Sequence, residues 1–334
     1  MENMEKKAPR LTSTGLFLKR NKNTVIRYGL LLFIVVIFGI ATGGRLFSSF
    51  SISSLIGQIV PLMILCVGLS FVFAHGNFDI SAGAVLALNS LISIEIINAM
   101  GCTGVSVFIA LIVSVLLSEL FYLLNIFVSI KFRIMSTIGS LAIMFSARGI
   151  VSYLVSKTLS GYKLNDIKVI DLFKQEWFML VVAAVIAVLG WIILTYTKFG
   201  KYDKALGDNP LSAQQSGAKL NSVRYTAYAI AGFCVGIASM FYLARSGSVT
   251  QNFGSGREMD IMIALIMGGM MLSGGTKTRM SSAVVGAISY VLLTNGLSQL
   301  GLSDAIVLII KSAIFIVMVA TTLRRSSTIK AMPR

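Results

Sequence analysis

Four ionisable residues lie inside long apolar stretches of this sequence: Glu95, Glu119, Arg148 and Lys311. A charge at the centre of a bilayer costs about 2.5–3.5 kcal/mol on insertion scales, so such residues mark ion sites, proton relays or ion pairs. The two carboxylates could bind a coupling ion, or they could be structural partners or side chains that reach the membrane surface. For Arg148 and Lys311 we favour a structural role, because a path for a neutral solute has little use for a fixed cation.

Residue types that do covalent chemistry are not clustered. His75 is the one histidine, which excludes a histidine metal cluster and argues against a Ser-His-Asp triad. Cys66, Cys102 and Cys234 lie in or beside apolar segments without metal-ligand or pairing patterns. The run Gly274-Gly275-Thr276-Lys277-Thr278 lacks the spacing of an ATP-binding P-loop. We therefore expect no catalytic residue, no metal site and no cofactor.

Three asparagines suit a sugar-like solute better than the charged residues do. Asn89, Asn125 and Asn295 lie in apolar stretches, and a carboxamide both donates to and accepts from hydroxyl groups. Each could equally be a hydrogen-bonding contact between helices, as polar residues in membrane spans often are.

The elements that must position these residues are membrane-spanning helices. The 334 residues are 56% hydrophobic and 13% charged, with a mean hydropathy of +0.84, whereas soluble domains are about 25% charged. Backbone polar groups in lipid must be satisfied within a helix, since no β-barrel alternation is visible. The sequence predicts an all-α, polytopic integral membrane protein with about ten transmembrane helices of about 20 residues each. The predicted spans are residues 27–45, 52–74, 81–100, 104–130, 134–156, 177–197, 222–246, 258–273, 281–299 and 304–323.

The net charge of +16 describes orientation in the membrane rather than nucleic-acid binding. Most Lys and Arg residues fall at the two ends and in alternate loops, which places both termini in the cytoplasm. The sequence thus predicts a basic cytoplasmic segment over 1–26, a transmembrane permease domain over 27–323 and a basic cytoplasmic tail over 324–334. The polar outer loop 157–176 predicts a solvated connection, although a solute-binding protein could dock there.

A polar, basic segment interrupts the apolar pattern at residues 199–224. Within it, Asn209 can cap a helix, Pro210 suits the first helical position and Gly217 suits the position just past the end. These residues predict a two-turn helix between the sixth and seventh spans, on the cytoplasmic side. It could dock a partner protein or rest on lipid headgroups.

This segment resembles the cytoplasmic coupling loop of ribose-type ABC sugar permeases. In that family the loop sits in a groove of the ATP-hydrolysing subunit and transmits its closure to the membrane helices. The residues that carry the resemblance are Gly207, Asn209, Pro210, Ala213, Ser216, Gly217, Asn221 and Val223.

A second stretch, residues 75–88, resembles the same family's Gly-Gly-Ile-Asp-Leu-Ser-x-Gly signature. Gly76, Asp79, Ser81 and Gly83 match, while Asn77 stands where the family usually has Gly. Asp79 or Ser81 can cap the third span, where the helix dipole favours a carboxylate. The stretch is a candidate for the transport pathway or for a helix-entry motif.

A third stretch resembles the family's Gly-x-Glu-Leu-Asp, Gly-Gly and Leu-Ser-Gly-Gly run. It comprises Gly256 to Asp260, then Gly268-Gly269, then Leu272 to Gly275. Glu258 and Asp260 lie at the predicted outer mouth of the eighth span, near its positive N-terminus. The paired glycines let this span pack tightly or break.

The resemblance implies the permease subunit of an ABC importer in the bacterial cytoplasmic membrane, moving a monosaccharide or related small polar solute by alternating access. The chain would not be an enzyme, because a separate ATP-binding subunit hydrolyses ATP. Further implied partners are an extracytoplasmic solute-binding protein, a second permease subunit in a homodimer or heterodimer, and membrane lipid. One alternative is a nucleoside or branched-chain amino acid ABC permease, and Phe73 to Gly76 faintly resemble the amino acid branch. The other is an ion-coupled secondary transporter using Glu95 or Glu119.

Overall fold

Long helices make up most of the chain. The computed structural model describes residues 22–158 and 162–330, so most of the predicted segment 1–26 and the end of the tail 324–334 lie outside the described residues. The helices are α1 Lys22–Ala41, α2 Ser49–Ala74, α3 Ala82–Ala99, α4 Gly104–Phe132, α5 Ser136–Ser156, α6 Glu176–Tyr196, α7 Lys198–Asp208, α8 Pro210–Gln215, α9 Leu220–Ser246, α10 Arg257–Met267, α11 Met280–Gln299 and α12 Asp304–Lys330.

Seven helices of the described chain are long and apolar enough to cross a membrane: α2, α3, α4, α5, α6, α9 and α11. Their ends lie within a few residues of the predicted second to seventh and ninth spans. The predicted first and tenth spans are also helical, as α1 and α12. The chain is therefore a polytopic all-α membrane protein.

The predicted eighth span, 258–273, forms a shorter helix. The 11 residues of α10 rise about 16 Å, roughly half of an apolar core of about 30 Å. Gly268 caps the helix and Gly269 follows with φ +88°, a backbone conformation that ends a helix. The paired glycines thus break this span, and helices of this kind occur in transporters where the backbone is enclosed by protein or lines a cavity.

The centre of the bundle is α2, because every residue from Val60 to Ala74 is buried. A membrane-spanning helix that is buried along this whole stretch is enclosed by other helices rather than by lipid. The N-terminal half of α3 is buried in the same way, from Ala82 to Leu91. Ser114 of α4 and Ser239 of α9 join their hydroxyl groups at 2.6 Å, and Ser114 also donates to the Gly236 carbonyl at 3.0 Å. These bonds fix α9 against α4.

The outer layer consists of α4, α5 and α6. Only 28%, 33% and 28% of their most apolar windows are buried, and they expose side chains such as Phe108, Phe145 and Trp191. Broad apolar faces on long helices suit contact with lipid acyl chains.

The loop 157–176 differs from the solvated connection that its composition predicts. Tyr162–Lys163 pairs antiparallel with Ser248–Val249 as a two-stranded β1–β2 ladder, and Ile167–Lys174 forms a 3₁₀-helix. Ile170 and Phe173 from this helix are buried, and Phe173 packs edge-on against Phe241 of α9. The prediction was wrong because apolar side chains three residues apart share one face of a 3₁₀-helix.

Candidate functional site

Two short helices, α7 and α8, stand outside the long bundle and form one end of it, here named the α7–α8 end. Thr197 begins α7 by accepting from the Gly200 amide at 3.1 Å. Asn209 ends α7 and caps α8, because its side-chain oxygen accepts from the amides of Leu211 at 3.0 Å and Ser212 at 3.3 Å. Pro210 takes the first helical position and Gly217 follows the end with φ +86°, so the predicted short helix is present.

The inner side of this segment is fixed to the bundle. Gly207 packs directly on backbone, so that a Cβ there would overlap the Ala74 carbonyl and the Gly275 amide. The Asp208 carboxylate accepts from the Thr276 amide at 2.9 Å, and the Gly275 amide donates to the Ala74 carbonyl at 2.8 Å. The end of α2, the loop 268–279 and the end of α7 therefore form one hydrogen-bonded unit.

The outer side of the segment is free within the described chain. Leu211 is 63% exposed, and Asn209, Pro210, Ser216 and Gly217 are also exposed, whereas Ala213 beneath them is buried. Beside them lies an open groove of about 310 Å³, lined by Phe199, Tyr202, Gly217, Lys219, Ser222, Val223 and Thr226. Asn221 is exposed in the first turn of α9. A rigid base with an exposed apolar and amide surface suits a protein contact.

A buried pair inside this end, His75 with Asp203, was not predicted from the sequence. The His75 Nδ1 and Asp203 Oδ1 atoms are 2.8 Å apart, and the two side chains are 1% and 0% exposed. Burial raises the pKa of the Asp203 carboxyl above its ordinary value, and the bond from His75 offsets part of that rise. Asp203 lies four residues from both Phe199 and Gly207, and this helical spacing is the one sequence feature that places all three on the same face of α7.

Asp79 is the centre of a buried hydrogen-bond cluster at the entry of α3. One carboxylate oxygen accepts from the Ser81 amide at 2.8 Å, the Ser81 hydroxyl at 2.7 Å and the Tyr122 hydroxyl at 3.3 Å. The other accepts from the Asn125 amide group at 3.0 Å. The predicted capping role is wrong, because Ser81 holds the N-cap position without a side-chain capping bond and donates to Asp79 instead. The cluster joins the α2–α3 loop to α4.

The glycines of the same stretch permit close backbone approach. A Cβ at Gly83 would overlap the Gly254 carbonyl and the Glu258 carboxylate, so α3 lies directly against the loop before α10. Gly76 adopts φ +81°, and a Cβ there would lie 3.0 Å from the Ser273 carbonyl oxygen. The two family-like stretches around Gly76 and Leu272 are thus brought together in space.

The three asparagines bind neighbouring helices. Asn89 donates to the Ser118 hydroxyl and is fully buried, as is Asn125 in the Asp79 cluster. Asn295 is half-buried and exchanges two hydrogen bonds with Gln58, at 2.9 and 3.1 Å. Of the three, only Asn295 has part of its surface open in the described structure.

Asp260 in the first turn of α10 is the counter-charge of two cations. It accepts from Arg257 at 2.9 Å and from Lys311 at 3.4 Å, and the Tyr290 hydroxyl donates to it as well. Glu258 faces the other way, toward Gly83, and accepts from the Gly256 amide at 3.3 Å. Lys311 therefore has a structural partner that ties α12 to α10.

Substitutions at the two ends of the Asp260–Lys311 ion pair are predicted to lower stability by different amounts. Asp260→Asn is expected to destabilise the protein by about 3 kcal/mol, because it leaves two cations without their counter-charge. Lys311→Met is expected to cost about 1 kcal/mol, because Asp260 keeps Arg257 and Tyr290. Thermal unfolding of the purified variants in detergent compares the two. Equal losses would show that Lys311 and Asp260 act only with each other.

The remaining ionisable residues are dispersed. Arg148 donates to the Phe253 carbonyl at 2.6 Å and so fastens α5 to the loop before α10. Glu119 is half-buried midway along α4, and Glu95 is exposed near the end of α3. No group of three or more His, Cys, Asp or Glu side chains that could hold a metal occurs among the described residues.

Comparisons with known proteins agree with these features. A family model described as the permease component of the branched-chain amino acid transport system matches residues 51–319. The chain is 28% identical over 281 residues to the fructose import permease protein of Bifidobacterium longum, covering 80% of this chain and 81% of that protein.

Two further relatives are similar over nearly their whole lengths. The ribose import permease protein of Bacillus subtilis is 28% identical over 302 residues, covering 89% of this chain and 92% of that protein. The galactose/methyl galactoside import permease protein of Haemophilus influenzae is 27% identical over 322 residues, covering 90% and 93%. With the apolar helices described above, these matches make the chain a multi-pass protein of the bacterial cytoplasmic membrane. It belongs to the family of branched-chain amino acid transport system permease components.

Proposed function

We propose that this chain is the membrane-spanning subunit of an ABC importer that moves a monosaccharide or a related small polar solute by alternating access. Three relatives named for the import of fructose, ribose and galactose are similar to it over at least 80% of its length. In this proposal both termini are cytoplasmic, residues 27–323 are the permease domain, and 1–26 and 324–334 are basic cytoplasmic segments. Residues 199–224 are the coupling loop.

The observation that carries the proposal is the two-sided construction of the α7–α8 end. Its inner side is bonded to the ends of α2 and the loop 268–279, and its outer side is exposed around Leu211. A partner on the outer side could push on α7 and move the ends of several helices together. We assign that surface to an ATP-binding subunit, which supplies the energy while this chain does no covalent chemistry.

The other partners in the proposal occupy other faces. An extracytoplasmic solute-binding protein docks at the opposite end, where β1–β2 and the 3₁₀-helix lie. A second permease subunit completes the pathway. Asn295 with its partner Gln58 is the proposed solute contact, since it is half-buried, whereas Asn89, Asn125 and Asp79 hold helices together.

A branched-chain amino acid substrate is the second candidate, because the matching family model is described in those terms. The three relatives reported above are all named for the import of sugars. We therefore place a sugar first.

Leu211→Glu tests the proposed docking surface. Leu211 is 63% exposed and does not support the bundle, so the variant should insert and fold normally. A buried carboxylate at the centre of an apolar contact should weaken binding of the ATP-binding subunit by about a hundredfold. The measurement is gentle affinity purification of the tagged chain from its own host, with mass spectrometry of the accompanying proteins.

Wild-type chain is expected to recover a P-loop ATPase and a secreted or lipid-anchored binding protein. Leu211→Glu should lose the ATPase, whereas Lys131→Glu, at the exposed end of α4, serves as the matched control and should keep it. If both variants recovered equal amounts of the ATPase, α8 would not be part of the docking surface. Absence of any ATPase from the wild-type sample after crosslinking would contradict the importer itself.

A further inference from the structure

α7 faces the end of α2 with three residues at helical spacing. Phe199 stacks on Phe71 with ring centroids 5.9 Å apart, Asp203 meets His75, and Gly207 packs on the Ala74 carbonyl. Positions i, i+4 and i+8 lie on one face of a helix. Of the three contacts, only the one between Asp203 and His75 is a hydrogen bond and is therefore directional.

The position of each partner makes the pair a link between two bodies. His75 is the C-cap of α2, the central helix, and Asp203 lies in the middle of α7. Neither side chain can reach water without separating the two helices, since they are 1% and 0% exposed. Each side chain is the hydrogen-bond partner of the other, so separation leaves an unpaired polar group in the interior.

The pair also leads further into the bundle. The His75 ring lies 6.1 Å from the ring of Tyr228 on α9, and Tyr228 lies 6.2 Å from Tyr122 on α4. Tyr122 donates to Asp79, the buried centre of the α2–α3 loop. A displacement of α7 that carries His75 with it therefore acts on packed side chains of α9 and α4.

We propose that the His75–Asp203 pair is the positioning contact that makes α7 move together with the end of α2. Under the proposed function, on which this inference rests, the pair carries the motion of the docked ATP-binding subunit to the central helix. The pair positions helices and does not contact the solute. Phe199 and Gly207 pack in the same contact between α7 and α2. The hydrogen bond of the pair keeps the two helices together whether α7 moves toward α2 or away from it.

The first test needs no partner protein. Hydrogen exchange of the purified full-length chain in lipid nanodiscs reports on opening of α7. His75→Ala and Asp203→Ala are each expected to raise exchange of α7 amides by about a hundredfold, because each leaves its partner unpaired. Lys201→Ala, on the exposed side of α7, is the control and should leave exchange unchanged. If the α7 amides of both pair variants exchanged at the wild-type rate, the pair would not be what holds α7 to α2.

The second test measures coupling. In proteoliposomes with the co-purified ATPase and binding protein, the ratio of solute imported to ATP hydrolysed should fall about tenfold in each single variant. The exchanged pair His75→Asp/Asp203→His should restore this ratio to within about threefold of wild type, because the hydrogen bond between the two helices is re-formed. Where an alanine variant does not fold, His75→Asn and Asp203→Asn replace it.

The two tests separate the link between α7 and α2 from its role in transport. Increased exchange with an unchanged transport ratio would show that the link exists but does not transmit, which overturns the coupling role. Should the chain have no ATPase partner, the hydrogen-exchange result still decides whether the pair holds α7. A double alanine variant whose effect equals the sum of the two single effects would overturn the pair as a unit.

Discussion

Replacing Gly207 with valine is expected to lower solute uptake by about a hundredfold while the protein still inserts into the membrane. The valine Cβ would overlap the Ala74 carbonyl and the Gly275 amide, both of which are backbone atoms and cannot rotate away. The end of α7 must then leave the surface of α2, and the Asp208 bond to Thr276 is lost with it. Uptake of labelled sugar by whole cells, normalised to membrane-inserted protein, measures the effect.

Gly149→Val is the matched control for this experiment. Gly149 lies in α5, with no atom within 4 Å of the position that a Cβ would take, so the same change of side chain meets open space. Its uptake should stay close to wild type. Normal uptake by Gly207→Val would mean that the seating of α7 on α2 is not needed for transport.

Asp79→Ala is expected to have the largest effect on stability, lowering the midpoint of thermal unfolding in detergent by about 10 °C. The carboxylate is 1% exposed and accepts four hydrogen bonds from three residues, all of which lose their acceptor in the variant. Leaving such buried donors unpaired costs about 3–5 kcal/mol in total. Differential scanning fluorimetry of the purified variant gives the midpoint.

Asp171→Ala provides the comparison. Asp171 pairs with Lys174 at 2.8 Å, but their side chains are 47% and 35% exposed, and an exposed pair contributes about 0–1 kcal/mol. Its midpoint should therefore shift little. Similar midpoints for Asp79→Ala and Asp171→Ala would contradict the account of Asp79 as a buried structural centre.

Local chemistry explains why some of the site could be predicted from the sequence. Asn209, Pro210 and Gly217 define a short helix by capping, fixed φ and positive φ, and these rules act within a few residues. The long spans are equally local, since about 20 consecutive apolar residues are enough to define each. The break after Met267 follows from two adjacent glycines in the same way.

The contacts between distant segments could not be predicted in the same way. His75 and Asp203 are 128 residues apart, and neither sits in a pattern that names its partner. Asp79 was placed correctly near the start of a helix, yet its carboxylate accepts from Tyr122 and Asn125 of α4 as well as from Ser81. A carboxylate near a helix N-terminus is a local preference of about 0.3–1 kcal/mol, which a buried multidentate site outweighs.

The charged residues of the spans illustrate the same limit. The sequence marks Lys311 as unusual, because its charge lies in an apolar stretch. Its partner Asp260 could be named only once α12 was seen to pack against α10. Sequence patterns thus identify which residues need partners, and the packing of the helices decides which partner each one has.

ATP-driven import in a defined system tests the central claim most directly. The chain is reconstituted in proteoliposomes with its co-purified ATPase and solute-binding protein, and accumulation of labelled D-ribose, D-fructose and D-galactose is followed. We expect at least one sugar to accumulate only when ATP is supplied on the side that exposes α7 and α8, and Gly207→Val to abolish it. Accumulation by the chain alone, driven by a proton or sodium gradient without the ATPase, would contradict the account.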